Sequence, residues 1–336
     1  MLPTMRIRTG ASDHNACVSG LEIAVVIATT RRETRLAFAL DALAEQTLPS
    51  AAFEVVVVRG RHDGMPTVPP KGLPVRVLEH ASAGPATLRN VGWRSTGAPL
   101  VAFTDDDCRP RPDWLERLCE AARGDREDVL VQGRTEPDPD ERHLLYGLAR
   151  SLRVTAPSGW YETCNMLYTR ALVERLGGFD ERFSGGTRGP QGGEDTDLAL
   201  RALRAGADFR FADRAVVWHA VHPRHAWDAV RDARRWSTIA SLVERYPEQR
   251  DALHRRIFWK PQHERFLVAA GGLLSRRAGV ATAAAAPYVL DHASRYDWTA
   301  RGVLRAACDL PVRAATDAAE VGVTLAAAAR SRVLVL

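Results

Sequence analysis

Lysine is nearly missing from this chain. Lys71 and Lys260 are the only two in 336 residues, so arginine carries the positive charge. No glycine-rich, lysine-bearing loop follows the first strand-like run, which argues against the P-loop manner of holding a nucleoside triphosphate. Cysteine is scarce too. Cys17, Cys108, Cys119, Cys164 and Cys308 are odd in number and form no CxxC pair, so neither a disulfide framework nor a zinc site is expected. The stretch 1–20 lacks the apolar core of a secretory signal and is read as a disordered leader. Free thiols without a signal imply a cytoplasmic setting. No uninterrupted apolar run reaches the roughly 20 residues that a bilayer span needs. The best candidate, Phe266–Leu290, is broken by Ser275-Arg276-Arg277. No internal repeat is visible.

What remains is an ordinary soluble composition, 46% hydrophobic and 26% charged, with a formal net charge of +5. A mildly basic balance suits an anionic ligand or an anionic membrane face and is not by itself a nucleic-acid signature. The length fits one large α/β domain with an extension.

Leu21–Ala28 is a short β-branched run, a buried strand by its lack of alternation. A polar turn, Thr29–Arg32, follows it. Apolar residues at helical spacing then occupy Thr34–Gln46, and Glu54–Val58 is a second buried strand. Val75–Glu79, a helix over Gly84–Ser95, and Leu100–Thr104 continue the alternation. Such a pattern predicts an α/β fold whose mostly parallel sheet is flanked by helices on both faces. Ligands in such sheets bind at the carboxyl ends of strands, where Thr29–Arg32 and Asp105-Asp106-Asp107 both fall. Further strands are expected at Asp128–Gln132, Cys164–Tyr168, Phe209–Phe211 and Ala215–Trp218, with helices at Arg170–Leu176 and Glu194–Arg204. The glycine-rich segment Gly177–Gly193 reads as a long loop. After His219 the pattern is wholly helical: Arg224–Tyr246, the broken run Phe266–Leu290, and Thr299–Ala329. The expected division is leader 1–20, catalytic domain 21–222 and helical extension 223–336.

Three adjacent carboxylates repel one another, and a divalent cation shared with a diphosphate relieves that repulsion. The plain alternative for Asp105–Asp107 is a solvated acidic turn ahead of the helix that starts near Trp114. Glu194, Asp195 and Asp197 open a helix. They serve its dipole, or they take a proton from an incoming hydroxyl at the mouth of the loop. His219 ends a strand and gains interest only if it lies near the aspartates; His222 and His225 compete with it. Arg89, in the helix after Gly84, either binds a phosphate or nucleoside or rests on a solvated face.

In this order, VVIATTRR (Val25–Arg32), GPATLRNVGW (Gly84–Trp93), FTDDDCRPRPDWL (Phe103–Leu115), ETCNMLYTRALVERLGGFDERF (Glu162–Phe183), GGEDTDLALRALRAG (Gly192–Gly206) and VVWH (Val216–His219) resemble the family 2 glycosyltransferases, inverting bacterial enzymes of the GT-A fold. The match covers about Leu21 to His222. The resemblance implies a nucleotide-diphosphate sugar donor, with a UDP-sugar as first expectation, a hydroxyl acceptor (a small molecule or a lipid-linked glycan), and Mn²⁺ or Mg²⁺. It implies that Ala28, Thr29, Thr30, Arg32, Arg59 and Arg89 meet the nucleotide and that Asp105 and Asp106 face the ribose and sugar. Asp107 would ligate the metal with His219 as a second ligand. Asp195 would be the general base with Glu194 beside it, and Trp160, Asn165 and Arg170 would lie on the acceptor side. The loop Ser184–Gly193 would close over both substrates.

One departure stands out. Arg59 occupies the place where family members usually carry a base-reading carboxylate, with Asp63 further along as a substitute. That motivates the competing expectation of a catalytically inactive GT-A-like scaffold. A nucleotidyltransferase on a related sheet ranks last. The helical extension leaves open a peripheral membrane contact, a homodimer, or simple packing on the catalytic domain.

Overall fold

The valine and isoleucine runs become the centre of a sheet. The structure is a computed structural model and describes residues 20–30, 33–60, 70–81, 84–184 and 192–336. The leader up to residue 19, Arg32, Asp63 and most of the loop Ser184–Gly193 lie outside the described residues. The first half runs β1 (Ile23–Thr29), α1 (Glu33–Ala44), β2 (Phe53–Gly60), β3 (Val75–His80), α2 (Pro85–Arg94), β4 (Leu100–Asp105), β5 (Cys108–Pro110) and α3 (Trp114–Ala122). Then come β6 (Val129–Pro137), β7 (Asn165–Thr169), α4 (Arg170–Arg175), α5 (Glu194–Arg204) and β8 (Asp208–His219). Five further helices follow: α6 (Ala226–Arg231), α7 (Thr238–Arg245), α8 (Pro261–Leu274), α9 (Ala278–Ala293) and α10 (Ala300–Ser331).

The strand order is β3-β2-β1-β4-β7-β6-β8-β5. β3, β2, β1 and β4 are parallel, and β7 turns the direction on both of its sides. β1 and β2 show no alternation because both faces are covered. On one face Leu36, Leu40 and Leu43 of α1 and Trp114, Leu115 and Leu118 of α3 are buried against Val25, Ile27 and Val55. On the other face Trp93, Phe103, Tyr168, Leu172 and Leu198 cluster around Val26. Each such side chain contributes about 1.5–3 kcal/mol on full burial. α2 begins with Gly84 extended and Pro85 in its first turn, where a missing N–H costs nothing. It lies so close to β1 that a Cβ on Gly92 would overlap Val26.

The second half departs from expectation in three places. Phe209–Phe211 and Ala215–Trp218 are one strand, β8, paired in parallel with β6 from Val129 to Pro137. The register slips between Gly133 and Arg134, so the charged stretch before Ala215 bulges out, which is what made the strand read as two. For the same reason β6 runs five residues beyond Gln132. The span Arg224–Tyr246 is not one helix but α6, a 3-10 helix Asp232–Ser237 and α7.

Over the described residues the chain divides into two units. One takes 20–139, 152–184 and Glu194–Ala220; the other takes 140–151, 192–193 and Val221–Leu336. In the second unit α8 and α9 are separated at Ser275–Arg277, where Arg276 adopts φ 56°. Among the described residues no helix is long and apolar enough to cross a membrane.

Candidate active site

β1 and β4 lie side by side with Ala28 opposite Asp105, so both polar strand ends open at the same edge. Thr29, buried, donates from Oγ1 to Asp106 Oδ2 at 2.6 Å. This holds the middle carboxylate against the β1 turn. Thr30 is half-buried in the bend that follows.

Arg89 neither faces solvent nor stands alone. Its side chain is only 7% exposed and spans two acids. Nη2 donates to Asp105 Oδ1 and Nη1 to Glu194 Oε1, both at 2.9 Å. The guanidinium also lies 5.8 Å from the Phe179 ring centre. Burial opposes its charge, but Asp105, Glu194 and Asp195 outweigh burial and hold it well above the ordinary arginine value. Arg89 therefore joins the end of β4 to the first turn of α5, two elements 89 residues apart (Asp105 to Glu194).

Asp195 stands next to Glu194 in that turn. Its Oδ1 accepts from the Thr196 N–H at 2.8 Å, and Thr196 Oγ1 donates to the Trp160 carbonyl at 2.7 Å. Burial first, and then the charge of Glu194, push the Asp195 carboxyl up to about 8; the Thr196 N–H and Arg89 pull the other way. Glu162 adds to the upward push. Glu162 is itself raised by burial, with Ser158 Oγ at 2.9 Å and Gln132 Nε2 at 2.8 Å donating to Oε2. Glu162 is not among the site residues expected from the sequence. An isolated acid in a polar stretch carries no signal of burial, so only the fold shows it.

Asp107 meets His219 through strand pairing. β5 and β8 are antiparallel with Cys108 opposite His219, and the Ala220 N–H donates to the Asp107 carbonyl at 2.9 Å. His219 Nε2 then lies 3.8 Å from Asp107 Oδ1. His219 Nδ1 is 2.8 Å from the Ala220 carbonyl, which only accepts. Nδ1 therefore donates to that carbonyl, and Nε2 is the ring nitrogen on the side of Asp107. With His222, which the sequence left as a competitor, Asp107 and His219 bring ligand atoms within 4.8 Å of one another, a group that could hold a metal ion.

The other expected residues divide. Arg59 is buried at the end of β2, opposite Thr29, with Nη1 3.7 Å from Glu79 Oε1. Trp160 is joined to α5 through its carbonyl. Asn165 is spent inside the sheet: Oδ1 accepts from Trp114 Nε1, and Nδ2 donates to the Arg134 and Ala215 carbonyls, at 2.8–2.9 Å. Its amide holds the β6 irregularity, with both N–H groups donated inside the sheet. Arg170 sits just beyond the start of β4, at the opposite end of the strand from Asp105. Its N–H donates to the Pro99 carbonyl, and its side chain reaches Thr96 and Glu174. The length of β4 puts it roughly 17 Å from Asp105. The two placements share a cause: β7, inside the matching stretch, runs antiparallel to β4, so the chain passes from Asn165 near Thr104 to Arg170 beside Pro99, away from the edge that carries Asp105.

Comparison with known proteins bears on the fold and on the relatives of the chain. Residues 24–179 match the family described as glycosyl transferase family 2. A pre-mycofactocin glycosyltransferase of Mycobacterium tuberculosis is 32% identical over 190 residues, 52% of this chain and 38% of that protein. The chain thus spans about two fifths of that relative's length. Glycosyltransferase AglE of Haloferax volcanii is 26% identical over 215 residues, covering 60% of this chain and 67% of that one. Among solved structures, the mannosyltransferase PcManGT from Pyrobaculum calidifontis, in complex with GDP-Man and Mn²⁺, superposes with a TM-score of 0.51 at 20% identity, over 93% of this chain and 87% of that chain. The architecture is of the GT-A type.

Proposed function

We propose that this protein transfers a sugar, with inversion, from a nucleotide-diphosphate sugar to a hydroxyl acceptor. The observation that carries the reading is the chain of contacts Asp105–Arg89–Glu194 beside Asp195. It ties the expected donor carboxylates to a buried carboxyl whose affinity for protons is raised.

Asp105 and Asp106, held by Arg89 and Thr29, receive the ribose and sugar hydroxyls. Asp107 and His219 are the residues that would hold Mn²⁺ or Mg²⁺. Bound there, the ion supplies charge neutralisation for the departing diphosphate. Asp195 takes the acceptor's hydroxyl proton as the oxygen attacks the anomeric carbon. The new carbon–oxygen bond forms as the bond to the phosphate oxygen breaks, the nucleoside diphosphate leaves with that electron pair, and a single in-line displacement inverts the centre. Arg59, turned to Glu79, is not offered as a substitute for a base-reading carboxylate. Base selection falls to the backbone at Ala28–Thr30, and a UDP-sugar and a GDP-sugar are both candidate donors. The solved mannosyltransferase with GDP-Man and Mn²⁺ supports the donor and metal classes.

Titration calorimetry tests the metal pair. Asp107→Ala is expected to remove the Mn²⁺-dependent part of nucleotide-sugar affinity while leaving the protein folded. Equal donor affinity with and without Mn²⁺ in both proteins would sink the metal role.

Peripheral contact with anionic lipid is part of the same proposal. It is supported by the α8–α9 hairpin tip, where Leu273 and Leu274 are 64% and 82% exposed beside Arg276 and Arg277. Along α9 no charged residue occurs from Ala278 to Leu290, and Val280, Val289 and Leu290 are exposed. Apolar tips flanked by arginine suit an anionic interface. The protein should co-sediment with vesicles containing phosphatidylglycerol and not with pure phosphatidylcholine, and Leu273→Ser with Leu274→Ser should weaken this. No sedimentation with either vesicle would remove membrane contact from the account.

A further inference from the structure

The C-terminal unit contains a cavity of about 390 Å³ lined wholly by its own residues. The segment 145–151, the 3-10 helix Asp232–Ser237 and α10 form its walls, and no step of the proposed transfer uses it. Its size lies in the range of small-molecule sites.

The lining is markedly cationic. Arg150, Arg224, Arg235, Lys260, Arg295 and Arg313 outnumber the carboxylates Asp232, Asp317 and Glu320 by six to three. The carboxylates, moreover, are already matched from within. Arg224 Nη2 donates to Asp232 at 2.9 Å. Asp317 Oδ2 accepts from Arg313 Nε at 3.0 Å and from the Tyr288 hydroxyl at 2.9 Å. Glu320 receives Lys260 Nζ at 2.6 Å, His263 Nε2 at 2.9 Å and Trp236 Nε1 at 3.0 Å. Arg295, in turn, pairs with Asp291 at 3.2 Å, so the lining carboxylates are all matched and the excess of positive charge is carried by the remaining arginines.

Two groups show where the surplus lies. Arg313 Nη2 is buried and meets no acceptor in hydrogen-bond geometry, a costly state for a guanidinium N–H. Arg235 makes no ion pair with a carboxylate among the described residues and lies 5.5 Å from the Trp236 ring centre. A metal ion does not fit this chemistry. His263, Asp317 and Glu320 are close enough together to hold one, but Arg313 and Lys260 already stand on the two carboxylates, and a divalent ion would add charge of the same sign.

We propose that this cavity binds a small phosphorylated molecule, its phosphate oxygens received by Arg313 and Arg235 with Arg150 at the rim. Several acceptor oxygens on one anion meet the orphaned N–H and the surplus charge together, which a neutral ligand does not. The site is independent of the transfer reaction, so a failed base or metal assignment leaves it standing.

Calorimetry on the full-length protein at low ionic strength, with inorganic phosphate, glucose 6-phosphate and glucose as separate probes, tests it. Saturable binding of phosphate or glucose 6-phosphate is expected, with no binding of glucose. Comparable affinity of the two anions assigns recognition to the phosphate group alone; tighter binding of the sugar phosphate assigns it to the whole molecule. Arg235→Gln should weaken binding at least about tenfold, the loss of one charge-assisted contact of about 1.4 kcal/mol. Arg150→Gln, at an exposed position, should weaken it in the same direction. Asp107→Ala should leave it unchanged. Absence of binding by either anion, unchanged affinity in both arginine variants, or loss of binding in Asp107→Ala, which would place the anion at the donor site, overturns the proposal.

Discussion

Asp195→Asn should lower sugar transfer by about 10²–10⁴-fold, the usual contribution of a positioned general base, with nucleotide-sugar affinity unchanged. The amide keeps the shape of the side chain and its place beside Thr196 but cannot take the acceptor's proton. The raised carboxyl gives this prediction a pH signature. With the Asp195 carboxyl held up to about 8 in the free protein, kcat/KM should climb with pH and level off above that value. A carboxylate at its ordinary position would give a flat profile above about pH 5. Stability should move the opposite way. The folded carboxyl binds its proton more tightly than the unfolded one, so the native state loses stability as pH rises from the ordinary aspartate range to about 8. Asp195→Asn, which never ionises, should therefore melt higher than the wild type at alkaline pH and alike at acid pH. Equal transfer by the variant removes Asp195 from the mechanism. A wild-type profile flat from pH 5 upward removes the raised carboxyl.

Arg89→Met should be the most damaging substitution for the fold. It leaves Glu194, buried, and Asp105, partly buried, facing each other without the cation between them. Breaking a buried ion pair from one side costs about 3–5 kcal/mol. In a domain of this size that is a fall of roughly 10 °C in melting temperature. Replacing Glu194 by Gln in the same chain removes one of the stranded charges, so the double variant should recover part of the loss. A double variant no more stable than Arg89→Met alone would show that the bridge does not carry the energy assigned to it. Donor binding should fall in Arg89→Met as well, because Asp105 loses the contact that aims it.

The strands of the parallel half were legible because β1, β2 and β4 are covered on both faces and so read as unbroken valine, isoleucine and leucine runs. Their polar ends, Thr29 and Asp105–Asp107, were legible for the same reason: where burial stops, so does the apolar run. What could not be read is pairing at long range. Asp107 meets His219 only through the register of a three-residue strand, β5, against the far end of β8. Arg89 left two readings open, ligand or solvated face, and the structure shows another, a buried bridge between two acids. Asn165 and Arg170 lie in a matching stretch, yet the sheet directs one into the core and the other to its opposite end. In the C-terminal unit the apolar period announced helices. A cavity formed by residues from 145 to 320 leaves no mark in any local window.

Release of nucleoside diphosphate by the full-length protein, measured over a panel of UDP- and GDP-sugars with and without Mn²⁺, tests the central claim most directly. At least one donor should yield its diphosphate slowly to water alone when the metal is present. That release should stop on chelation and in Asp107→Ala, and should fall steeply in Asp195→Asn. If no nucleotide sugar is cleaved or bound in the presence of Mn²⁺, the protein is not a glycosyltransferase of this kind, and the GT-A architecture serves as a scaffold without the reaction.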